Sequence, residues 1–272
     1  GAGGLPSELP SLLRSALVIA SILSIIAVIA LTLLEALLPL ISTSQEISSL
    51  VKQYLRIAIW VVPLDLFACV IINISNGAGR TFWPAAVSAA AFITMVLVTW
   101  LIALGNAGLV AMGSAGIAYS LLFAALTKFV LSILLLLQAD FRSLKFTSLT
   151  GSVEVPHLRR IFSVGFPIGL NEGSIQLFGA VLIIFIASMG VEQLAVHNVA
   201  WNVFSLSHIF SLGFMTATSI LVGQALGAGD LAGLKSVRRT SHYVVIMASF
   251  PMLLALYFFR NEIAVAYSID GD

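Results

Sequence analysis

Residues Ala195–Asp230 read AVHNVAWNVFSLSHIFSLGFMTATSILVGQALGAGD: a long apolar run with a few polar residues at helical spacing, then a glycine-rich exit. That exit, Gly227-Ala228-Gly229-Asp230, nearly repeats Gly1-Ala2-Gly3-Gly4. After each copy comes a polar stretch with arginine (Arg14; Arg238 and Arg239) and then a new apolar run. Copies that start at residues 1 and 227 of a 272-residue chain predict a duplicated architecture, with the chain beginning inside one unit and stopping inside the next.

Composition sets the class. Apolar residues make up 60% of the chain and charged residues 9%, and the mean hydropathy is +1.08. Soluble domains carry about 25% charged residues, so this chain cannot supply a water-facing surface. It reads as all-α, a polytopic helical bundle of seven transmembrane helices drawn from two pseudo-repeated lobes. The single cysteine, Cys69, excludes a disulfide framework and a cysteine metal site. The start reads as loop-like, and a cleavable leader is not expected.

Seven runs can cross a hydrocarbon core about 30 Å thick, which takes roughly 20 helical residues. They fall near 12–38, 54–76, 84–104, 115–137, 161–189, 195–222 and 242–266. Helix is required because isolated strands leave backbone groups unsatisfied in lipid. Glycines punctuate the ends. Nine Lys and Arg residues fall on the side of the N-terminal connection and three on the other, with Lys128 inside a run. The positive-inside rule then puts the N-terminal end in the cytoplasm and the C-terminal end outside. The expected organisation is four helices in 1–140, a cytoplasmic linker in 141–160, and three helices in 161–272.

A charge at the bilayer centre costs about 2.5–3.5 kcal/mol on insertion scales and marks a candidate site. Asp65, Lys128 and Glu172 qualify; Glu35, near the outer end of its helix, is set aside as able to reach headgroups or water. Asp65 follows Pro63, which should kink the helix, and heads a one-face stripe of Cys69, Asn73 and Asn76. That stripe is either a polar path or a helix-packing face. Asp65 and Lys128 fall at similar depth, so a buried ion pair is the simplest account of both.

In the fifth helix, Asn171 and Ser174 form one polar column, and Glu172 and Gln176 another, beside a smooth Gly165-Gly169-Gly173 face on which a helix could pack. Glu172 has no base near it within its helix and is a candidate Na⁺ or H⁺ site; the alternative is a protonated, hydrogen-bonded acid. In the sixth helix Asn198, Asn202 and Ser205 share a face, and His197, Trp201 and His208 another. The two histidines lie about 16 Å apart along the helix, too far to share a metal. His197 is kept as a pathway candidate because its charge can change near neutral pH. No phosphate-binding loop, nucleophile set or zinc spacing is present, and no enzyme is expected.

Three segments in order carry a resemblance: Gly165-Phe-Pro-Ile-Gly-Leu170, Leu194-Ala-Val-His-Asn-Val-Ala-Trp-Asn202 and Val222-Gly-Gln-Ala-Leu-Gly-Ala-Gly-Asp230. With Val51-Lys-Gln-Tyr-Leu-Arg56 and Asn76-Gly-Ala-Gly-Arg-Thr81, they resemble the multidrug and toxic compound extrusion (MATE) family over nearly the whole chain. The resemblance implies twelve helices in two six-helix lobes related by parallel repeats, of which this chain would supply the third to ninth. It implies export of cationic or amphipathic compounds in exchange for Na⁺ or H⁺, by rocking between inward- and outward-open states. By position, Asn198 and Asn202 fall in the family's eighth-helix motif beside the central cavity. Where many members have an acid in the seventh helix this chain has Ile175, and Glu172 lies one turn earlier; this departure leaves the ion open.

The expected function is a secondary-active efflux antiporter in the bacterial inner membrane. It has no cofactor beyond the coupling ion, Na⁺ or H⁺. The expected partners are small cationic or amphipathic compounds, the bilayer and further helices of the same polypeptide, with no nucleic acid. The expected ion and substrate pathway comprises Asp65, Asn73, Lys128, Asn171, Glu172, Gln176, His197, Asn198, Trp201 and Asn202. Phe178 and Phe204 would join Trp201 in an apolar wall. The rival readings are a flippase-like exporter of lipid-linked saccharides, for which Lys128 would be the basic group, and a seven-helix receptor.

Overall fold

The computed structural model describes residues 9–41, 45–108, 110–137 and 154–267. The glycine-rich start and most of the expected linker at 141–160 lie outside the described residues. Seven helices are long and apolar enough to cross a membrane. They are α1 (Leu9–Ile41), α2 (Gln45–Gly77), α3 (Phe82–Val98), α4 (Gly113–Leu137), α5 (Val155–Met189), α6 (Val191–Gly227) and α7 (Leu231–Phe258); a short α8 (Arg260–Tyr267) follows.

Most of these helices outrun the spans expected from hydropathy. At about 1.5 Å per residue, the 37 residues of α6 extend well beyond the apolar core. The largest extension is at α7, which begins at Leu231, ahead of the expected 242, and takes in Lys235, Arg238 and Arg239. Apolarity reports where lipid is, whereas a helix continues wherever its backbone bonds can be made and its end capped. Asp230 supplies that cap, its Oδ1 accepting from the Gly233 N–H at 2.8 Å. At the other end the expected run 242–266 is two helices, with the break at Phe259. The helices continue unbroken through Pro63 and Pro167.

α3 ends in a π-helical turn, Thr99–Ala103. The chain then reverses through Gly105 (φ 70°), Ala107 (φ 57°) and Gly108 (φ 82°). Two bonds hold this reversal: Asn106 Nδ2 donates to the Trp100 carbonyl at 2.9 Å, and the Met112 N–H to the Ile102 carbonyl at 3.0 Å.

The chain divides into two compact units between Phe162 and Ser163. In the first, α2 packs between α1 and α4, and α4 between α2 and α3. Its interior is built from small residues: Ala20, Ala68, Ala91, Ala118 and Ala125, with Ser15, Ser75, Ser120 and Ser132, are buried. The large side chains face outward, as at Ile22, Ile25, Ile26, Ile29 and Leu33. A water-soluble bundle would do the reverse. In lipid, apolar surface gains nothing by leaving its surroundings, so close backbone approach decides which face turns inward. Gly116 is the tightest example, since a Cβ there would stand 2.5 Å from Ala103 Cα. Leu13, Val87 and Leu135 form one larger apolar cluster joining α1, α3 and α4.

In the second unit α6 packs along α7. Thr218 Oγ1 donates to Ser241 Oγ at 3.0 Å across that contact. Gly190, at φ 125°, separates α5 from α6 in a conformation that disfavours a side chain. No residue of α5 or α7 is buried among those described.

Candidate functional site

Asp65 and Lys128 are brought together by the α2–α4 packing. Lys128 Nζ stands 2.7 Å from Asp65 Oδ1, an ion pair with hydrogen-bond geometry. The acid is the more open partner, with its side chain 50% exposed against 24% for the lysine. Beside the pair, Phe67 and Phe129 join the same two helices, their ring centroids 6.4 Å apart.

The stripe below Asp65 is linked within its own helix. Asn73 Nδ2 donates to the Cys69 carbonyl at 2.9 Å and approaches Cys69 Sγ at 3.0 Å. The amide is therefore spent one turn back rather than on a neighbouring helix. Cys69 and Asn73 line a mostly apolar groove of about 250 Å³, with Ala16, Ile19, Ala20 and Leu23 of α1 opposite.

Glu172 is different. Its side chain is exposed and has no hydrogen-bond or ion-pair partner among the described residues. The same holds for Asn171 and Gln176 on α5, whereas Ser174 Oγ donates to the Leu170 carbonyl at 2.7 Å. The Gly165-Gly169-Gly173 face is uncovered: a Cβ at any of the three would meet nothing within 4 Å.

On α6, Asn198 and Asn202 are exposed and make no described side-chain bond. The other face is a ladder of rings. His197 and Trp201 have centroids 6.1 Å apart, Trp201 and Phe204 5.5 Å, and Phe204 and His208 5.8 Å, the last pair stacked at 17°. Phe204 joins the His197-Trp201-His208 face into one series of rings. Phe178, on α5, is 70% exposed and makes no described ring contact. Further along α6, Phe214, Thr218 and Leu221 line a groove of about 240 Å³ against Val237, Ser241 and Val244 of α7.

One charged cluster was missed. Glu35 is not a lone acid reaching for water. Its Oε1 lies 2.8 Å from Arg56 Nε and 3.9 Å from Lys52 Nζ, and its side chain is only 15% exposed. The signal was present in Lys52 and Arg56, four residues apart on the face of α2 that meets α1. Among the described residues no three His, Cys, Asp or Glu side chains converge.

Comparison with known proteins follows both units. A family model described as MatE matches residues 3–101 and 167–272. A probable multidrug resistance protein NorM of Photorhabdus laumondii is 25% identical over 262 residues, covering 95% of this chain and 57% of the relative. A multidrug resistance protein NorM of Photobacterium profundum is 26% identical over 80% of this chain and 48% of its own length. The chain thus spans about half the length of the curated relatives it matches. Among solved structures, an outward-facing multidrug resistance MATE family transporter of the MOP superfamily superposes with a TM-score of 0.79 at 20% identity, over 95% of this chain and 57% of that one. A MOP superfamily transporter from Pyrococcus furiosus superposes at 0.78 with 19% identity, over 98% and 63%. At such identities the two superpositions establish the fold.

Proposed function

The chain belongs to the MatE family of multi-pass membrane transporters, and from that premise we propose that it forms part of a secondary-active efflux antiporter of the bacterial inner membrane. Its cargo is small cationic or amphipathic compounds, its driving ion Na⁺ or H⁺, and its cycle alternating access between two lobes to which the two compact units belong. The N-terminal end of the chain is cytoplasmic. The relatives named for multidrug resistance support the cargo class.

One observation carries the assignment of the coupling group: of the mid-membrane acids, Asp65 is neutralised by Lys128 at 2.7 Å, whereas Glu172 has no partner among the described residues. An unpaired acid in a transmembrane helix is costly, and a carrier that loads it with a cation or proton removes that cost in the loaded state. Glu172 is therefore the coupling acid, with Asn171 and Gln176 beside it as neutral oxygen ligands or hydrogen-bond partners. Asn198 and Asn202 supply polar contacts to cargo, and the His197-Trp201-Phe204 rings an apolar wall. Asp65 holds a secondary place through its pair.

The test is ethidium uptake into energised everted vesicles, where cellular efflux runs into the lumen, with Glu172→Gln protein. Ion-driven efflux should fall at least about tenfold, the usual scale of a coupling free energy between two ligands, while the protein still inserts and binds ethidium. Unchanged ion-driven efflux overturns the assignment. Neither a saccharide flippase nor a receptor is favoured by the relatives this chain matches.

A further inference from the structure

An ionised carboxylate at membrane depth is costly unless it is protonated or paired, and a pairing cation is either diffusible or built into the chain. In the four-helix unit it is built in. Lys128 Nζ engages Asp65 Oδ1 at 2.7 Å and leaves Oδ2 without a bond among the described residues. No other described ionisable group competes at that depth. α3 carries none, Arg14 and Glu35 sit toward opposite ends of α1, Tyr119 lies near the start of α4, and Cys69 is engaged by Asn73. The exposures are unequal: the acid is 50% open and the base 24%, so the ammonium lies behind a carboxylate that faces outward. A small cation could reach that carboxylate if the ammonium were gone.

We infer that Lys128 is a tethered cation, whose ammonium fills the place at Asp65 that a free small monovalent cation such as Na⁺ would otherwise take. The four-helix unit then needs no bound ion of its own, and ion dependence falls to Glu172 in the other unit. Only this last clause rests on the exporter reading. Lys128 is a positioning and specificity residue: it decides that Asp65 is not an ion site. Replacing it with methionine keeps the volume and removes the charge. The uncompensated carboxylate is strongly destabilising, and any cation that binds it only in the folded state restores stability by mass action.

The experiment measures thermal unfolding of the purified protein in detergent, in NaCl and in choline chloride of equal ionic strength. All variants carry Glu172→Gln, so that any ion effect at Glu172 is removed. The Glu172→Gln protein should unfold at one temperature in both salts. Adding Lys128→Met should lower the unfolding temperature in choline and recover several degrees in NaCl. Adding Asp65→Asn as well should abolish that difference. The proposal is overturned if Lys128→Met shows no recovery in NaCl, or if Glu172→Gln alone shows a recovery that Asp65→Asn removes. It is equally overturned if the Lys128→Met protein fails to fold in NaCl, whether or not Asp65→Asn rescues it, because the pair is then a structural pin. The readout is unfolding rather than efflux, so this result and the vesicle result can fail independently.

Discussion

Asp65 and Lys128 each place a charge in an apolar helix, and each would be strongly destabilising alone. Their pairing across α2 and α4 at 2.7 Å explains why both are tolerated. The Glu35–Arg56 pair has similar geometry at 2.8 Å but a different setting, since Arg56 is 66% exposed. Screening of an open partner holds such pairs to roughly 0.2–1 kcal/mol. A double-mutant cycle of Glu35→Gln and Arg56→Gln, read by thermal unfolding, should give a coupling in that range. A coupling several times larger would show that Glu35 is a structural pin instead. The ion pair at Asp65 was legible in the sequence because depth can be counted along two helices that run the same way. The Glu35 cluster was not, because an acid near a helix end reads as solvated until its neighbour's register is known.

Two helix devices are open to direct test. Gly116 allows α4 to close on the π-helical turn of α3, where a Cβ would stand 2.5 Å from Ala103 Cα. Gly116→Leu should destabilise the four-helix unit by a few kcal/mol, the usual cost of overpacking, seen as a lowered unfolding temperature. Gly77→Leu, where a Cβ meets nothing within 4 Å, should cost far less and is the control. Asp230 caps α7 through the Gly233 N–H at 2.8 Å. Asp230→Ala should cost about 1 kcal/mol and speed hydrogen exchange in the first turn of α7; unchanged exchange there would remove the cap from the account. The glycine-rich exit Gly223–Gly229 is legible as the end of a helix. That the next helix starts at once, in a basic segment, was not legible from hydropathy.

At the scale of the molecule the four-helix unit is packed through small residues, whereas no residue of α5 or α6 is buried among those described. Gly165, Gly169 and Gly173 are open, with nothing described within 4 Å of a Cβ, and Asn198 and Asn202 make no side-chain bond among the described residues. The orientation proposed from the basic residues is tested with introduced cysteines in a Cys69→Ala background. Ala107→Cys, in the reversal between α3 and α4, should react with an impermeant maleimide in intact cells. Gly229→Cys, between α6 and α7, should react only after permeabilisation. The opposite pattern overturns the orientation and with it the direction of transport.

Composition and periodicity alone determined that this chain is a bundle of membrane helices, because an apolar run of about 20 residues has no other stable state in lipid. They also placed Asp65, Lys128 and Glu172 at depth, since position along a helix is position across a bilayer. What faces what was decided by tertiary packing. Large and small apolar residues are equally at home in lipid, so hydropathy cannot say which face turns inward, and backbone approach at Gly116 and the buried alanines and serines settles it. The same packing gives Asp65 a lysine and leaves Glu172 without a described partner, a distinction that lives in the distances between helices.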